Sequence, residues 1–203
     1  MNLRPLTLAI TLSLATSAAL AQTEVGATLA GHAYLAADTT VAAPRDAGPL
    51  FATSGKFANG KRQRVTELGS VPANTFVGDP KQPRASGGLL PVKGQSVQGF
   101  SGIVSLGQDE FLTLTDNGFG NKINSMDALL MVHHVKADWA SGKVKRLKTT
   151  FLHDPEHKVP FFIQNENSRQ RYLTGADFDI ESIQRVGKEW WIGEEFGPYV
   201  LRT

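Results

Sequence analysis

A hairpin pattern in the chain begins with Ser101-Gly102-Ile103-Val104-Ser105-Leu106-Gly107 and continues with Phe111-Leu112-Thr113-Leu114-Thr115-Asp116-Asn117-Gly118. The chain repeats this pattern as Glu181-Ser182-Ile183-Gln184-Arg185-Val186-Gly187 and Trp190-Trp191-Ile192-Gly193-Glu194-Glu195-Phe196-Gly197. The alignment places Ser101 against Glu181 and Asp116 against Glu195, with one residue fewer in the second turn. Recurring β-hairpins are typical of a β-propeller, whose equivalent strand ends meet at a central channel. The sequence therefore predicts an all-β propeller fold with acidic groups at that channel.

Further strands follow each hairpin, and their number limits how much of a propeller is present. The predicted strands of the first blade are Ser101–Leu106, Glu110–Thr115, Leu129–Val135 and Val144–Leu152, and those of the second are Ser182–Val186, Glu189–Glu194 and Tyr199–Arg202. A closed propeller needs at least about four blades of four strands. We therefore expect a partial β-propeller with fewer than two complete blades, whose missing C-terminal blades belong to the same protein.

Four motifs in this region carry a family resemblance. They are Phe100-Ser101-Gly102-Ile103, Thr115-Asp116-Asn117-Gly118, the stretch from Gly175 to Ile183, and Glu195-Phe196-Gly197-Pro198-Tyr199. In this order they resemble the phytase-like domain family, described by an esterase-like activity of the phytase type. The resemblance covers roughly residues 95–203 and implies a propeller that hydrolyses phosphate or related esters.

The N-terminal residues predict export. Arg4 precedes an apolar stretch, and Ala19-Leu20-Ala21 forms a small-residue cleavage site before Gln22. This pattern is typical of a signal peptide. We therefore predict a signal peptide at 1–21, a Gly/Pro-rich lead-in at 22–94 and a propeller domain at 95–203, truncated at its C-terminus. The expected location is periplasmic or secreted, with no membrane anchor, because no apolar stretch is long enough to span a bilayer.

Composition narrows the possible partners. The chain has 21 basic and 19 acidic residues and a net charge of +2, too balanced to favour a nucleic acid partner. It has no cysteine, so disulfides cannot stabilise an exported form, and bound metal becomes a plausible alternative. Two local basic clusters are open to interpretation as a solvated strand face or a phosphate-attracting rim: Lys56, Lys61, Arg62 and Arg64, and Lys143, Lys145, Arg146 and Lys148.

Strand periodicity points to a metal-binding role for the acids. Asp116 ends a row shared with Leu112 and Leu114, and Glu195 ends the equivalent row of the second hairpin. A carboxylate beside buried apolar groups needs a cationic partner, because burying it unpaired costs several kcal/mol. That partner is a Lys, an Arg or a metal ion.

The stretch from Asp177 to Glu181 favours the metal. In an extended conformation Asp177, Asp179 and Glu181 point to one side, where three like charges require a cation or water. Calcium suits such a set, since it accepts about six to eight oxygen ligands in flexible geometry. The alternative is that Asp177 and Asp179 only cap a turn. The predicted metal ligands are Asp116, Glu181, Glu195, Asp177 and Asp179, with Asn117 open as a further ligand or as a turn residue.

Two functions follow from these predictions. The first is an exported, calcium-dependent hydrolase of a small-molecule ester or phosphoester. The second is a non-catalytic propeller, stabilised by calcium, that binds a protein or polysaccharide. The sequence identifies neither a catalytic residue nor a substrate-binding residue.

Overall fold

A computed structural model describes residues 26–58, 63–75 and 84–203. The predicted signal peptide at 1–21 and the basic residues Lys61 and Arg62 lie outside these ranges. Residues 26–30 belong to a unit that spans Met1–Ala30 and have no regular secondary structure. The second unit spans Gly31–Thr203. Among the described residues, no helix has the length and apolar character needed to cross a membrane.

The secondary structure of this unit consists of β-strands and two short 3-10 helices, Arg45–Ala47 and Pro49–Ala52. The described ranges contain no α-helix. The strands are β1 Thr40–Val41, β2 Thr53–Ser54, β3 Val71–Thr75, β4 Arg84–Leu90, β5 Val92–Lys93, β6 Gln95–Ser96, β7 Phe100–Gly107, β8 Glu110–Thr115, β9 Met131–Asp138, β10 Lys143–Phe151, β11 Ile180–Val186, β12 Glu189–Glu194 and β13 Val200–Arg202.

The strands form one complete and one incomplete propeller blade. Strands β7, β8, β9 and β10 make an antiparallel sheet in chain order, and β11, β12 and β13 make a three-stranded antiparallel sheet. The remaining strands pair as β1 with β6, β2 with β5, and β3 with β4. None of these sheets closes into a ring within the described ranges. The fold is therefore all-β and a partial propeller with fewer than two complete blades, as the sequence predicts.

Most predicted strands lie within two residues of the observed ones, and the third strand shows why one boundary moved. The prediction begins it at Leu129, whereas β9 begins at Met131. Leu129 instead forms an isolated bridge with Thr174, and the Leu130 N–H donates to the carbonyl of Leu173. The chain thus pairs with the segment before the second blade and only then enters the sheet.

The two hairpins share one register apart from a single bulge. Phe100 pairs with Thr115 in the first hairpin, as Ile180 pairs with Glu194 in the second. Next to the first turn, the register of the β7–β8 pairing shifts by one residue between Ser105 and Gly107. Leu106 is therefore the extra residue of the first copy, and it lies in a β-bulge beside the turn.

Each hairpin also has a bulge at its open end. In β7 the register shifts between Phe100 and Ile103, and in β11 it shifts between Ile180 and Ser182. The shift in β11 leaves Glu181 as the extra residue. Because a bulge changes the direction of a side chain, Glu181 can turn toward the end of the sheet.

The main core lies between the two blades. Leu114, Ile180 and Ile192 are fully buried there. Strands β7 and β11 approach so closely that a Cβ on Gly102 would lie 3.0 Å from the backbone nitrogen of Ile183. This packing places the open ends of the two hairpins next to each other. The other buried members of the core are Leu112, Leu130, Val132, Leu152, Ile163, Leu173, Phe178 and Ile183.

The segment before the first blade packs against that blade. Phe51 is buried in a smaller apolar cluster with Leu129 and Tyr172. Lys56, from the first predicted basic cluster, is also buried, with its Nζ 3.1 Å from an Asp127 carboxylate oxygen. Lys56 therefore belongs to a buried ion pair and to neither a solvated face nor a phosphate-attracting rim.

Candidate metal centre

Three carboxylates meet where the second hairpin opens. Asp179 directly precedes β11, Glu181 lies in the β11 bulge, and Glu195 directly follows β12. One oxygen from each side chain falls in a set whose members all lie within 4.8 Å of one another. The backbone N–H of Glu195 donates to the carbonyl of Asp179 at 2.9 Å, which continues the ladder by one step and brings the two acids together.

Asp179 is held from the first blade. The backbone N–H of Asn117 donates to Asp179 Oδ1 at 3.1 Å, and Asn117 Nδ2 donates to Asp179 Oδ2 at 2.6 Å. Asn117 Oδ1 in turn accepts the N–H of Gly120 at 2.8 Å. Asn117 therefore serves as a turn residue, one of the two interpretations left open by the sequence, and it also anchors Asp179. Each Asp179 oxygen retains lone-pair capacity for a further partner.

Asp116 lies beside this trio of acids. Its Oδ1 accepts the Gly118 N–H at 2.8 Å. Burial raises the pKa of Asp116, the Gly118 hydrogen bond opposes this increase, and the charges of Asp179 and Glu195 raise the pKa further. Asp116 is thus within electrostatic reach of the trio, although its oxygens are outside the 4.8 Å set.

The pKa of Glu181 is raised in part by the charges of the neighbouring acids. Burial raises its pKa, a side-chain hydrogen bond with Ser101 opposes this, and Asp179, Glu195 and Asp116 raise it further. Ser101 is not among the residues for which the sequence predicts a functional role. The signal was nevertheless present, because the hairpin alignment pairs Ser101 with Glu181.

Asp177 is not brought to the trio. Its Oδ1 accepts the Gln164 N–H at 2.6 Å, and its Oδ2 accepts the backbone N–H and the hydroxyl of Thr174 at 2.7 and 2.9 Å. Burial raises the pKa of this carboxyl, and these hydrogen bonds oppose the increase. Asp177 therefore fixes the loop that leads into β11.

The four neighbouring acids have no basic partner. Within the described residues, none of Asp116, Asp179, Glu181 and Glu195 forms an ion pair with Lys or Arg. Calcium–oxygen distances are about 2.3–2.6 Å, so two ligands of one ion can lie up to about 5 Å apart. The three carboxylates offer only oxygen atoms, and the chosen oxygens lie within 4.8 Å of one another, so they fit this requirement. The cluster could bind a metal ion.

The four sequence motifs contact one another around this cluster. Gly175 lies against Asn117 so closely that a Cβ would be 1.8 Å from the Asn117 carbonyl oxygen. Tyr199 packs edge-to-face against Phe178, with ring centroids 6.0 Å apart. Ser101 reaches Glu181, as described above. The motifs are therefore parts of one site although they are distant in sequence.

The raised pKa values predict a pH-dependent effect of calcium. Asp116 and Glu181 bind protons more tightly in the folded state than at their ordinary values of 3.8 and 4.5. Protonation of these two carboxyls therefore stabilises the folded state. This stabilisation is complete at pH values below their ordinary pKa values and is lost as pH rises through the raised pKa values. Calcium requires the ionised carboxylates, so its stabilisation should grow through the same window. Melting temperatures with calcium and with chelator, measured from about pH 4 to pH 8, test this; a constant difference would contradict it.

The fold and site define a class of protein, an all-β partial propeller with carboxylates gathered at the ends of equivalent strands. The family model described as "Phytase-like: Esterase-like activity of phytase" matches residues 95–203, more than half of the chain. The chain belongs to this family, as its motifs predict. The matched range includes both hairpins and all five predicted metal ligands. No curated protein and no solved structure matches the chain.

Proposed function

We propose that the protein is an exported, calcium-dependent hydrolase of small-molecule phosphate esters or related esters. The observation that carries the proposal is the set of three carboxylate oxygens within 4.8 Å, which have no basic partner among the described residues. Membership of a family described by esterase-like activity supports hydrolase chemistry. The signal-peptide pattern of residues 1–21 supports export. Exported compartments usually supply calcium, which is consistent with a calcium site.

Asp179, Glu181 and Glu195 would hold the ion, with Asp116 as a further carboxylate at the edge of the site. When bound, the ion would supply positive charge to a phosphoryl or carbonyl oxygen and would lower the pKa of a water ligand. Calcium takes about six to eight ligands, which leaves positions for water and substrate after these acids have bound.

The chain's own contribution is to fix the acids before substrate arrives. Asn117 orients both oxygens of Asp179, and Ser101 lowers the pKa of Glu181 and so favours its ionised form. Hydrogen bonds to ligating carboxylates keep them in position and preserve metal affinity. Because these partners come from the first blade and the acids largely from the second, docking of the two blades assembles the site.

Glu181→Gln tests the proposal, since it removes one charge with little change in volume. Calcium affinity and hydrolysis of p-nitrophenyl phosphate or p-nitrophenyl acetate should each fall at least about tenfold. The matched control is Glu189→Gln, at the far end of the same hairpin, where Glu189 faces Arg202 at 3.9 Å. The control should retain both properties. Rates are measured across a calcium titration.

The outcomes separate the proposed function from its alternative. Equal hydrolysis by wild type and Glu181→Gln would remove Glu181 from the catalytic site. If calcium raises the melting temperature but wild type hydrolyses no ester in a broad panel, a non-catalytic propeller that binds a protein or polysaccharide becomes the better explanation. If chelator changes neither stability nor activity, the calcium proposal fails.

A further inference from the structure

The Asp116 carboxylate lies against a glycine that directly precedes β7. An added Cβ on Gly99 would be 2.9 Å from each Asp116 carboxylate oxygen and 3.0 Å from the Cγ atom that carries them. Carbon atoms in ordinary contact are about 3.5–4.0 Å apart. A side chain at position 99 and the observed orientation of the Asp116 carboxylate therefore exclude each other.

The backbones of these two residues are joined by a hydrogen bond. The Asp116 N–H donates to the Gly99 carbonyl at 3.0 Å, one step beyond the last residue pair of the β7–β8 ladder. Asp116 Oδ1 also accepts the Gly118 N–H at 2.8 Å. The carboxylate is thus held between two glycines, in an orientation within electrostatic reach of Asp179 and Glu195.

The second hairpin has a side chain at the position equivalent to Gly99. The Glu195 N–H donates to the Asp179 carbonyl, as the Asp116 N–H donates to the Gly99 carbonyl. Each of these bonds lies one step beyond the last residue pair of its hairpin. Asp179 turns its carboxylate toward Asn117, whereas at Gly99 the Asp116 carboxylate lies where a side chain would begin. The two blades therefore fill this position differently.

The kind of atom that an added methyl group meets decides what a substitution changes. At Gly175 the nearest atoms belong to the backbone, which cannot rotate away. At Gly99 they are the end of the Asp116 side chain, which can change rotamer while the backbone stays paired. Alanine at position 99 should therefore turn the carboxylate and break its bond with the Gly118 N–H.

We propose that Gly99 is a positioning residue for Asp116. Because Gly99 has no side chain, the carboxylate can take the orientation in which it accepts the Gly118 N–H and lies beside the three clustered acids. This inference deepens and rests on the proposed calcium-dependent function. It gives a role in the site to a residue that carries no ligand atom of its own.

Calcium affinity provides the first test. The dissociation constant of Gly99→Ala, measured by calorimetric titration, should rise at least about tenfold, as is typical when a residue that orients a metal ligand is lost. Gly107→Ala is the matched control. Gly107 lies at the turn end of the same hairpin, also has a positive φ of +85°, and has no atom within 4 Å of an added Cβ. This control should bind calcium like wild type.

A double-mutant cycle tests whether Gly99 acts through Asp116. Residues that work through one contact have non-additive effects. Asp116→Ala removes the carboxylate that an alanine at position 99 would displace. In that background Gly99→Ala should therefore raise the calcium dissociation constant no further.

Amide hydrogen exchange provides a measurement that does not require calcium. With chelator present, the Gly118 amide should exchange at least about tenfold faster in Gly99→Ala than in Gly107→Ala, because only the first variant loses the carboxylate acceptor. Equal exchange in the two variants would overturn the inference. A Gly99→Ala protein that fails to fold would overturn it too, since the backbone rather than the carboxylate would then have taken up the clash.

The calcium results separate this inference from the proposed function. If wild type binds calcium and Gly99→Ala binds it equally tightly, or if Gly99→Ala weakens binding further in the Asp116→Ala background, the inference is wrong. If wild type binds no calcium but Gly118 exchange is accelerated only in Gly99→Ala, the calcium proposal alone fails. Gly99 then still positions Asp116.

Discussion

Replacement of Gly175 by alanine is expected to destabilise the protein by at least about 4 kcal/mol. An added Cβ would lie 1.8 Å from the Asn117 carbonyl oxygen and 2.6 Å from its carbonyl carbon. Both contacts are with backbone, so no side-chain rotation can relieve them. The variant must separate the loop before β11 from Asn117, and this movement should also weaken calcium binding through Asp179. Urea denaturation measures the free energy of unfolding.

A second glycine gives the control for this experiment. Gly187 has a φ of +64° and no neighbouring atom within 4 Å of an added Cβ. Gly187→Ala therefore introduces backbone strain alone, at a cost of about 1–2 kcal/mol. A cost for Gly175→Ala no larger than that of Gly187→Ala would contradict the close approach of Gly175 to Asn117.

Asp179→Asn is expected to abolish the stabilisation by calcium. A ligand that binds only the folded state at 100 times its dissociation constant stabilises by about 2.7 kcal/mol. The substitution removes a charge from the buried member of the trio and turns an acceptor into a donor beside Asn117. The variant should therefore melt at the same temperature with calcium and with chelator, while wild type melts higher with calcium.

Asp177→Asn is the matched comparison. Asp177 is also buried and also accepts hydrogen bonds from backbone N–H groups. Each substitution should lower the stability of the calcium-free protein by roughly 1–3 kcal/mol, because a donor then faces a donor. Only Asp179→Asn should lose the response to calcium. If Asp177→Asn loses it as well, the ion is coordinated by a wider set than the trio.

The sequence was informative where a local pattern repeats. Both hairpins and the position of Asp116 and Glu195 after equivalent strands followed from alignment of one half of the domain with the other. Phe178 and Ile180 alternate with the acids along this stretch, and both are in the core. These properties depend on strand periodicity, which is visible in a single sequence.

The features of the candidate site that the sequence did not predict depend on contacts between segments far apart in the chain. Asp177 and Asp179 have the same chemistry and adjacent positions in the pattern, yet one binds Thr174 and the other binds Asn117. Their difference arises from the turn in which the Asp177 and Phe178 N–H groups donate to the Thr174 carbonyl, and from which loop packs against each carboxylate. No local periodicity encodes such contacts.

The bulge at Leu106 is the one difference in length between the two hairpins. The ends that carry Asp116 and Glu195 keep the same register relative to their partner strands, whereas the single difference in length lies at the opposite turn. An insertion at that turn leaves the geometry of the acids unchanged, but an insertion at the open end would shift a carboxylate by a whole residue. The hairpin therefore accommodates a change in length at its turn, whereas the register of its open end sets the positions of the acids.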